Sequence, residues 1–296
     1  MSDKVNVTAP ATHSHAKEKA LAALGQLPPF SPILNRLIAS LAQEDVSFAR
    51  VADLIEKDTV LAGNILGIVN SALYGLRGTV NSIRHAVSLL GINKLRNAML
   101  SMSVARMWGQ VKTPPGCSIG QFNLHSVAVA ILADLAAQRL EVEYAEGAFA
   151  AGLFHDLGLL LIALGLPEEY KELARLRQET DSVVADLELK VLGFTHSELT
   201  AEALAAWNLP VPIQNSVRFQ DNPDTDPTSS NGKIVTLSKI LHVAHHYVEE
   251  TRISPALLAD HPSANHASLE SLQLGAQLPT VLSEFESEFA AIKPYF

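Results

Sequence analysis

The stretch AFAAGLFHDLGLLL, residues 148–161, places a histidine and an aspartate side by side in one of the most apolar parts of the chain. Burying a carboxylate without a partner is costly, so something must compensate for the charge of Asp156. A metal ion would do so, and so would a hydrogen-bond network between helices. The pair His155-Asp156 therefore predicts either part of a metal site or a polar contact inside a helical core.

Outward from this pair, apolar residues recur at helical spacing along nearly the whole chain, and alternating strand patterns are almost absent. The segments SIGQ (118–121) and THSE (195–198) are capping boxes, which indicate helix starts. The segment SIRHAVSLLG (82–91) ends on Gly91, a residue at which helices often stop. The pattern predicts an all-α fold, a multi-helix bundle.

One Pro/Gly-rich segment, GQVKTPPGC at 109–117, interrupts the helical pattern and predicts a hinge between two lobes. We expect an N-terminal helical lobe at 20–110 and a second lobe at 118–220. The polar residues 1–19 predict a flexible tail. Residues 221–296 predict a loop followed by C-terminal helices that complete the second lobe.

Composition narrows the class of protein. The chain has 296 residues, 48% hydrophobic, and its single cysteine, Cys117, excludes an internal disulfide. The N-terminus lacks the apolar segment of a signal peptide, and the longest apolar run is broken by His155 and Asp156, which argues against a membrane span. We expect a soluble cytoplasmic protein. The net charge of −9 disfavours nucleic acid as a partner.

Basic residues are unevenly distributed. Between Asp58 and Asp134 the chain holds six Lys or Arg and no acidic residue. These cations could pair with acids from elsewhere in the fold, or they could form a docking face for an anionic partner or a phosphate-containing ligand such as a nucleotide. The candidates for such a face are Arg77, Arg84, Lys94 and Arg96.

Histidine and aspartate residues on four predicted helices, with His155 and Asp156 together on one of them, could converge in the core of a bundle. Imidazole and carboxylate ligands suit zinc, iron or manganese. The residues are His125, His155, Asp156, His196, His242, His245 and His246.

Several motifs together carry a resemblance to a known family. His125 followed by His155-Asp156 resembles the HD superfamily of metal-dependent phosphohydrolases, whose signature ends in a further aspartate. Motifs of the N-terminal half, such as Asn70-Ser71-Ala72 and Leu90-Gly91, together with GFTHSELTAEALAAWNLP further on, resemble the HDOD family of bacterial signalling proteins. The resemblance covers roughly residues 24–220 and implies an HD-like helical bundle with an N-terminal helical lobe.

Departures from the family pattern concern the metal site. In LHVAHH, His245 stands where the resemblance implies aspartate, and in NSVRFQD, Arg218 and Phe219 stand where relatives often carry histidine. The GYP signature of cyclic-di-GMP phosphodiesterases is absent. The candidate ligands are thus His125, His155, Asp156 and His245. Such a set suits a transition metal (Zn, Fe or Mn) better than Mg²⁺ or Ca²⁺, which prefer oxygen ligands.

Three hypotheses about function follow. The resemblance implies a non-catalytic signalling or scaffold protein that docks regulatory proteins, and the altered ligand set favours this interpretation. A closed site of four ligands would be structural, because metal-assisted hydrolysis needs an open position for water. The alternatives are a metal-dependent phosphohydrolase or phosphodiesterase with altered ligands, and a sensor of a phosphate-containing ligand. A fold with no metal is also open, in which Asp156 fixes the tautomer of His155 or caps a nearby helix, or else pairs with Arg218.

Overall fold

The computed structural model describes residues 10–41, 55–71, 79–180, 182–231, 234–251, 253 and 269–296. Within these ranges the chain forms helices and connecting turns, with no strand and a single isolated β-bridge between Val142 and Val235. The predicted all-α fold is confirmed.

The first half of the chain contributes five helices within the described ranges. Their ends follow local sequence: the Ser31 side chain accepts from the N–H of Leu34, and Pro32 occupies the first helical position. Gly91, at φ 78°, ends one helix and begins the next. The helices are α1 (Pro10–Ala22), α2 (Pro32–Ser40), α3 (Thr59–Val69), α4 (Ile83–Leu90) and α5 (Ile92–Trp108).

The second half builds the lobe around the His-Asp motif. Both helix starts form as predicted, and the hydroxyl half of each capping box is present: the Ser118 hydroxyl accepts from the N–H of Gln121, and the Thr195 hydroxyl accepts from the N–H of Glu198. The helices are α6 (Ile119–Ala137), α7 (Ala148–Phe154), α8 (Leu157–Gly165), α9 (Pro167–Glu179), α10 (Val184–Val191), α11 (His196–Ala206), α12 (Val211–Arg218), α13 (Leu237–Glu250) and α14 (Leu278–Ile292).

Helix α6 is the centre of the core: most of its residues are buried, and α7, α13 and α14 pack around it. Gly152 permits the closest of these approaches, because a Cβ at this position would lie 2.6 Å from the Cα of Ala130. The two backbones therefore come together one turn before His155. This contact places the His-Asp motif beside the middle of α6.

Two apolar helical stretches, Ile119–Ala137 and Ala145–Gly165, are long enough to cross a membrane. Their apolar windows are 72% and 94% buried inside the protein. Such burial is typical of core helices of a soluble protein, as the charged motif within the second stretch predicts.

The predicted flexible tail over 1–19 needs correction, because α1 begins at Pro10. Residues 1–9 lie outside the described ranges. Helix α1 is held by contacts that do not require a periodic apolar face. Ala20 is buried against Gly165, and Lys17 forms ion pairs with Glu198 and Glu202 at 3.6 and 2.6 Å. Because the segment is polar in composition, its sequence does not indicate this packing.

The segment 109–117 forms the connection between α5 and α6, without helix, as its prolines predict. In the first lobe, the Asn70 side chain bonds to the backbone of Val80 in both directions: its Nδ2 donates to the carbonyl at 2.8 Å, and its Oδ1 accepts from the N–H at 2.7 Å. Asn70 thereby ties the two ends of the connection from α3 to α4 together.

Candidate metal centre

His155 and Asp156 lie at a break between two short helices. His155 follows the last residue of α7 and Asp156 precedes the first residue of α8. We expected both on one helix, and this expectation was wrong. The break is stabilised by Gln220, whose buried side chain donates to the carbonyl oxygen of His155 at 3.1 Å and to the Ser197 hydroxyl at 2.9 Å.

His125 and His155 face each other through their Nε2 atoms, because the Nδ1 of each ring donates to a backbone carbonyl. Nδ1 of His125 donates to the carbonyl of Ile253 at 2.6 Å, and Nδ1 of His155 donates to the carbonyl of Gly152 at 2.8 Å. In the neutral imidazole, Nε2 of each ring is then a bare lone pair. These two Nε2 atoms lie 3.2 Å apart. An outward N–H bonded to a carbonyl is the usual arrangement of metal-binding histidines.

His245, on α13, adds a third imidazole. Its Nδ1 lies 2.8 Å from Nε2 of His155, and its Nε2 lies 3.4 Å from Oε2 of Glu249 one turn further along the helix. The carboxylate of Glu249 favours a proton on Nε2 of His245, an arrangement in which Nδ1 would act as the metal ligand.

Asp156 supplies the negative charge. It is fully buried, and neither of its carboxylate oxygens accepts a hydrogen bond of normal geometry. Oδ2 lies 3.2 Å from Nε2 of His155 and 3.4 Å from Nε2 of His125. Burial raises the pKa of Asp156, but when the cluster holds a proton in place of a metal ion, the positive charge on His155 and the nearby His125 hold this pKa well below its usual range. The carboxylate is therefore ionised and lacks full hydrogen-bond compensation.

The four predicted ligands His125, His155, Asp156 and His245 thus converge, with one ligand atom from each lying within 4.8 Å of all the others. Ligands about 2.0–2.2 Å from a tetrahedral zinc ion are separated by roughly 3.4 Å. The separations among His125, His155 and Asp156, 3.2–3.4 Å, are close to this value, and His245 lies 2.8 Å from His155. Three imidazole nitrogens and a carboxylate without a hydrogen-bond partner, gathered within this distance, fit a transition metal ion, which would neutralise the buried charge.

His196 lies on the other side of Asp156, outside the ligand set. Its Nδ1 and backbone N–H both lie 2.8 Å from Oε2 of buried Glu188, and its Nε2 lies 3.7 Å from Oδ1 of Asp156. Burial lowers the pKa of His196, but the charges of Glu188 and Asp221 outweigh it and raise the pKa to about 10. His196 is therefore a buried imidazolium between carboxylates.

Arg218 does not pair with Asp156. Among the described residues, only His125, His155 and His196 approach that carboxylate within ion-pair distance. The alternative in which an Arg218–Asp156 pair replaces a metal is therefore wrong. Arg218 is the last residue of α12.

Three residues that contact the histidines of the site were not predicted from the sequence. Glu249 had a usable signal, because it follows His245 by four residues, which places both on one helix face. Gln220 and Glu188 had none, because each approaches the motif from a different helix or loop.

Three of the four candidate anion-binding residues lie in the described ranges, and each has an acidic residue near it. Arg77 lies outside the described residues. Arg84 lies 4.0 Å from Glu56, and Lys94 lies 2.5 Å from Glu288 on α14. Burial lowers the pKa of Arg96, which is partly offset by Asp134. At least Arg84 and Lys94 thus pair with acidic residues from other segments of the fold, as one of the two interpretations of the basic stretch predicts.

Comparisons with known proteins agree with this structure. A curated, uncharacterised protein of Treponema pallidum (strain Nichols) is 24% identical over 226 residues, which cover 73% of this chain and 41% of that protein. The chain therefore spans about two-fifths of the length of this relative.

Two solved structures share the fold. An HDOD domain protein from Geobacter sulfurreducens superposes with a TM-score of 0.75 and 22% identity, over 96% of this chain and 99% of that chain. A candidate signal transduction protein from Marinobacter aquaeolei VT8 superposes with a TM-score of 0.71 and 21% identity, over 98% of this chain and 67% of that chain. The family model of the HDOD domain matches residues 27–223, close to the predicted 24–220. The chain belongs to the HDOD domain family.

Proposed function

We propose that this chain is a non-catalytic signalling module that holds one transition metal ion in its HD-like lobe. His125, His155, Asp156 and His245 would bind the ion, which would neutralise the buried carboxylate and tie α6, α7 and α13 together. The module would act in the cytoplasm through contacts with regulatory proteins. The likeness to a candidate signal transduction protein supports this direction at the level of the fold.

One observation carries the non-catalytic assignment. His125, His155 and Asp156 are 0% exposed, and the His245 side chain is only 17% exposed. Hydrolysis of a phosphoester needs an open metal position for water and space for the substrate beside it. Four protein ligands already complete the coordination that a structural zinc ion prefers.

Metal analysis combined with an activity panel tests the proposal. Protein purified without chelators is analysed for zinc, iron and manganese, and then assayed against cyclic dinucleotides, nucleotides and a chromogenic phosphodiester. We expect about one metal ion per chain and no turnover. His155→Ala should lose the metal, whereas His85→Ala, at an exposed position on α4, should keep it.

Two results would contradict the proposal. Turnover that disappears in His155→Ala and persists in His85→Ala would establish the hydrolase alternative. Protein that contains no transition metal and takes up none after addition of Zn²⁺, Fe²⁺ or Mn²⁺ would show that the four residues do not form a metal site.

A further inference from the structure

A small cavity lies between helices of the two halves of the chain. It is bounded by α3, α4 and α5 on one side and by α6, α7 and α14 on the other, and its volume is about 40 Å³. None of the four candidate metal ligands lines it. Because a water molecule needs roughly 10–15 Å³ of such space, the cavity holds about three water-sized groups and is too small for a nucleotide.

The wall of the cavity is mainly apolar, with polar groups supplied by three helices. Side chains of isoleucine, leucine, alanine and phenylalanine form most of it. The polar lining residues are Lys94 and Asn97 on α5, Asp134 on α6 and Glu288 on α14. Apolar walls with a few convergent polar groups are the usual composition of a small-ligand site.

One carboxylate oxygen of Asp134 is available to a bound molecule. Asn97 and Gln138 both donate to Oδ2 of Asp134, at 3.2 and 2.6 Å. Within the described part of the chain Oδ1 accepts no hydrogen bond, and it does not belong to the unpaired polar atoms that are sealed from solvent. Because Asp134 lines the cavity, Oδ1 is the acceptor that a molecule in the cavity can reach.

The charges that line the cavity do not balance. The ammonium of Lys94 is committed to Glu288 at 2.5 Å, and no Lys or Arg nitrogen of the described residues lies within ion-pair distance of Asp134. Arg96 acts from further away. Burial and the charge of Glu288 outweigh its effect and raise the pKa of Asp134 to about 6. Two carboxylates and one ammonium therefore leave an excess negative charge at the cavity near neutral pH.

A primary alkylammonium ion fits these features better than other ions do. Mg²⁺ and Ca²⁺ need several oxygen ligands, which an apolar wall does not supply. A guanidinium binds best to both oxygens of a carboxylate, but Oδ2 of Asp134 already has two donors. A phosphate has the wrong sign of charge. An ammonium group with two carbons is about the size of three water molecules, as the volume requires.

We propose that this cavity binds the head of a primary alkylammonium ion, which donates to Oδ1 of Asp134 beside the Lys94–Glu288 ion pair. The first methylene groups of the ligand pack against the apolar wall. A hydrogen bond between two charged groups is stronger than one between neutral groups. The side chains of Lys94 and Glu288 are 43% and 21% exposed, so the ion pair marks the side on which a longer chain can leave the cavity.

Bound amine would give the signalling module an input that needs no turnover. The ligand would contact α5, α6 and α14 at once and so link the two halves of the chain. Helix α6 also carries His125, nine residues before Asp134 and about 14 Å away along the helix. The site is independent of the proposed metal, because no residue is shared between them.

Titration of the full-length, ¹⁵N-labelled protein with ethylamine at pH 7.5 tests the inference, with NMR spectra as the readout. We expect saturable shifts at α5, α6 and α14 with a Kd of about 1 mM, near the tightest binding that three non-hydrogen atoms allow. Asp134→Asn keeps the shape of the side chain and removes its charge, and it should weaken binding at least tenfold.

Glu284→Gln is the matched control. It removes a carboxylate from α14 that pairs with Arg139 at 2.7 Å and does not line the cavity, so this variant should bind ethylamine as the wild type does. Thermal unfolding of both variants without ligand separates lost binding from misfolding. A second titration with Nα-acetyl-lysine methylamide distinguishes a lysine side chain of a partner protein, which this probe represents, from a free amine, which ethylamine alone represents.

Three results would overturn the site. They are the absence of saturable shifts with both amines, equal affinity of Asp134→Asn and wild-type protein, and equal shifts with tetramethylammonium chloride at the same ionic strength, which would show charge screening alone. Metal content is measured on the same samples. Failure of amine binding therefore leaves the proposed metal site untouched, and absence of metal leaves the amine site untouched.

Discussion

Nε2 of His125 and Nε2 of His155 lie 3.2 Å apart, and the N–H of each ring is already committed to a backbone carbonyl. Two lone pairs at this distance repel each other unless a cation lies nearby. A proton can be that cation, and so can a metal ion. The two therefore compete for the same nitrogens, and binding of metal must release any proton that the cluster holds.

Asp156→Asn tests the role of the buried charge in metal binding. The substitution preserves shape but removes the single negative ligand. At a Zn²⁺ concentration about 100 times the dissociation constant, the wild-type protein should gain about 2.7 kcal/mol of stability, and the variant should lose most of this gain. Thermal unfolding with and without Zn²⁺ measures it. An equal gain in both proteins would show that Asp156 is not a ligand.

Glu188→Gln tests the buried imidazolium of His196. Because the folded pKa of His196 is raised to about 10, the stability that its charge contributes is complete below the unfolded pKa, about 6.5, and is lost as the pH rises towards 10. Removing the charge of Glu188 should destabilise the protein by about 3 kcal/mol near neutral pH and flatten this dependence. Urea unfolding at pH 6, 7.5 and 9 measures both effects. A wild-type protein whose stability stays constant from pH 6 to pH 9 would contradict this explanation.

Asp134→Asn should stabilise the protein above pH 6. Burial and the charge of Glu288 raise the pKa of Asp134 to about 6, although Asn97 and Gln138 donate to its Oδ2. The folded protein therefore holds a proton that the unfolded chain has released, and its stability falls between about pH 4 and pH 6. The variant avoids this loss and should gain about 2 kcal/mol at pH 7.5, with little change at pH 4. Equal stability of the two proteins at pH 7.5 would argue against the raised pKa.

Asn70→Ala should destabilise the first lobe by about 2–3 kcal/mol. It removes both bonds to Val80 and leaves the buried backbone of that residue without these partners. Asn70→Asp is the matched control, because it keeps the acceptor for the N–H of Val80 and loses only the donor, so its effect should be intermediate. Equilibrium unfolding in urea gives both values. If Asn70→Ala were no more destabilising than Asn70→Asp, the hydrogen bond from the N–H of Val80 to Oδ1 of Asn70 would add nothing to the stability.

Local signals in the sequence were sufficient for most of the fold. Helix starts at Ser118 and Thr195 depend on hydroxyl caps three residues before their partners, and the stop at Gly91 depends on its positive φ. These are short-range effects, which a sequence pattern can express. Helix α1 was not predicted because it is held by contacts between alanines and a distant glycine. Such contacts do not require a periodic apolar face, which is the signal that the sequence would show.

By itself the sequence determined the all-helical class, the HDOD resemblance and the identity of four candidate ligands, because residue type and helical spacing are properties of the chain. The tertiary structure alone decided that these ligands meet, that Arg218 stays away from Asp156, and that the His-Asp pair lies at a break between helices. It also supplied Gln220 and Glu249 as supports. The reason is physical: direction of a lone pair and burial of a charge depend on how distant helices pack, and no local pattern encodes either.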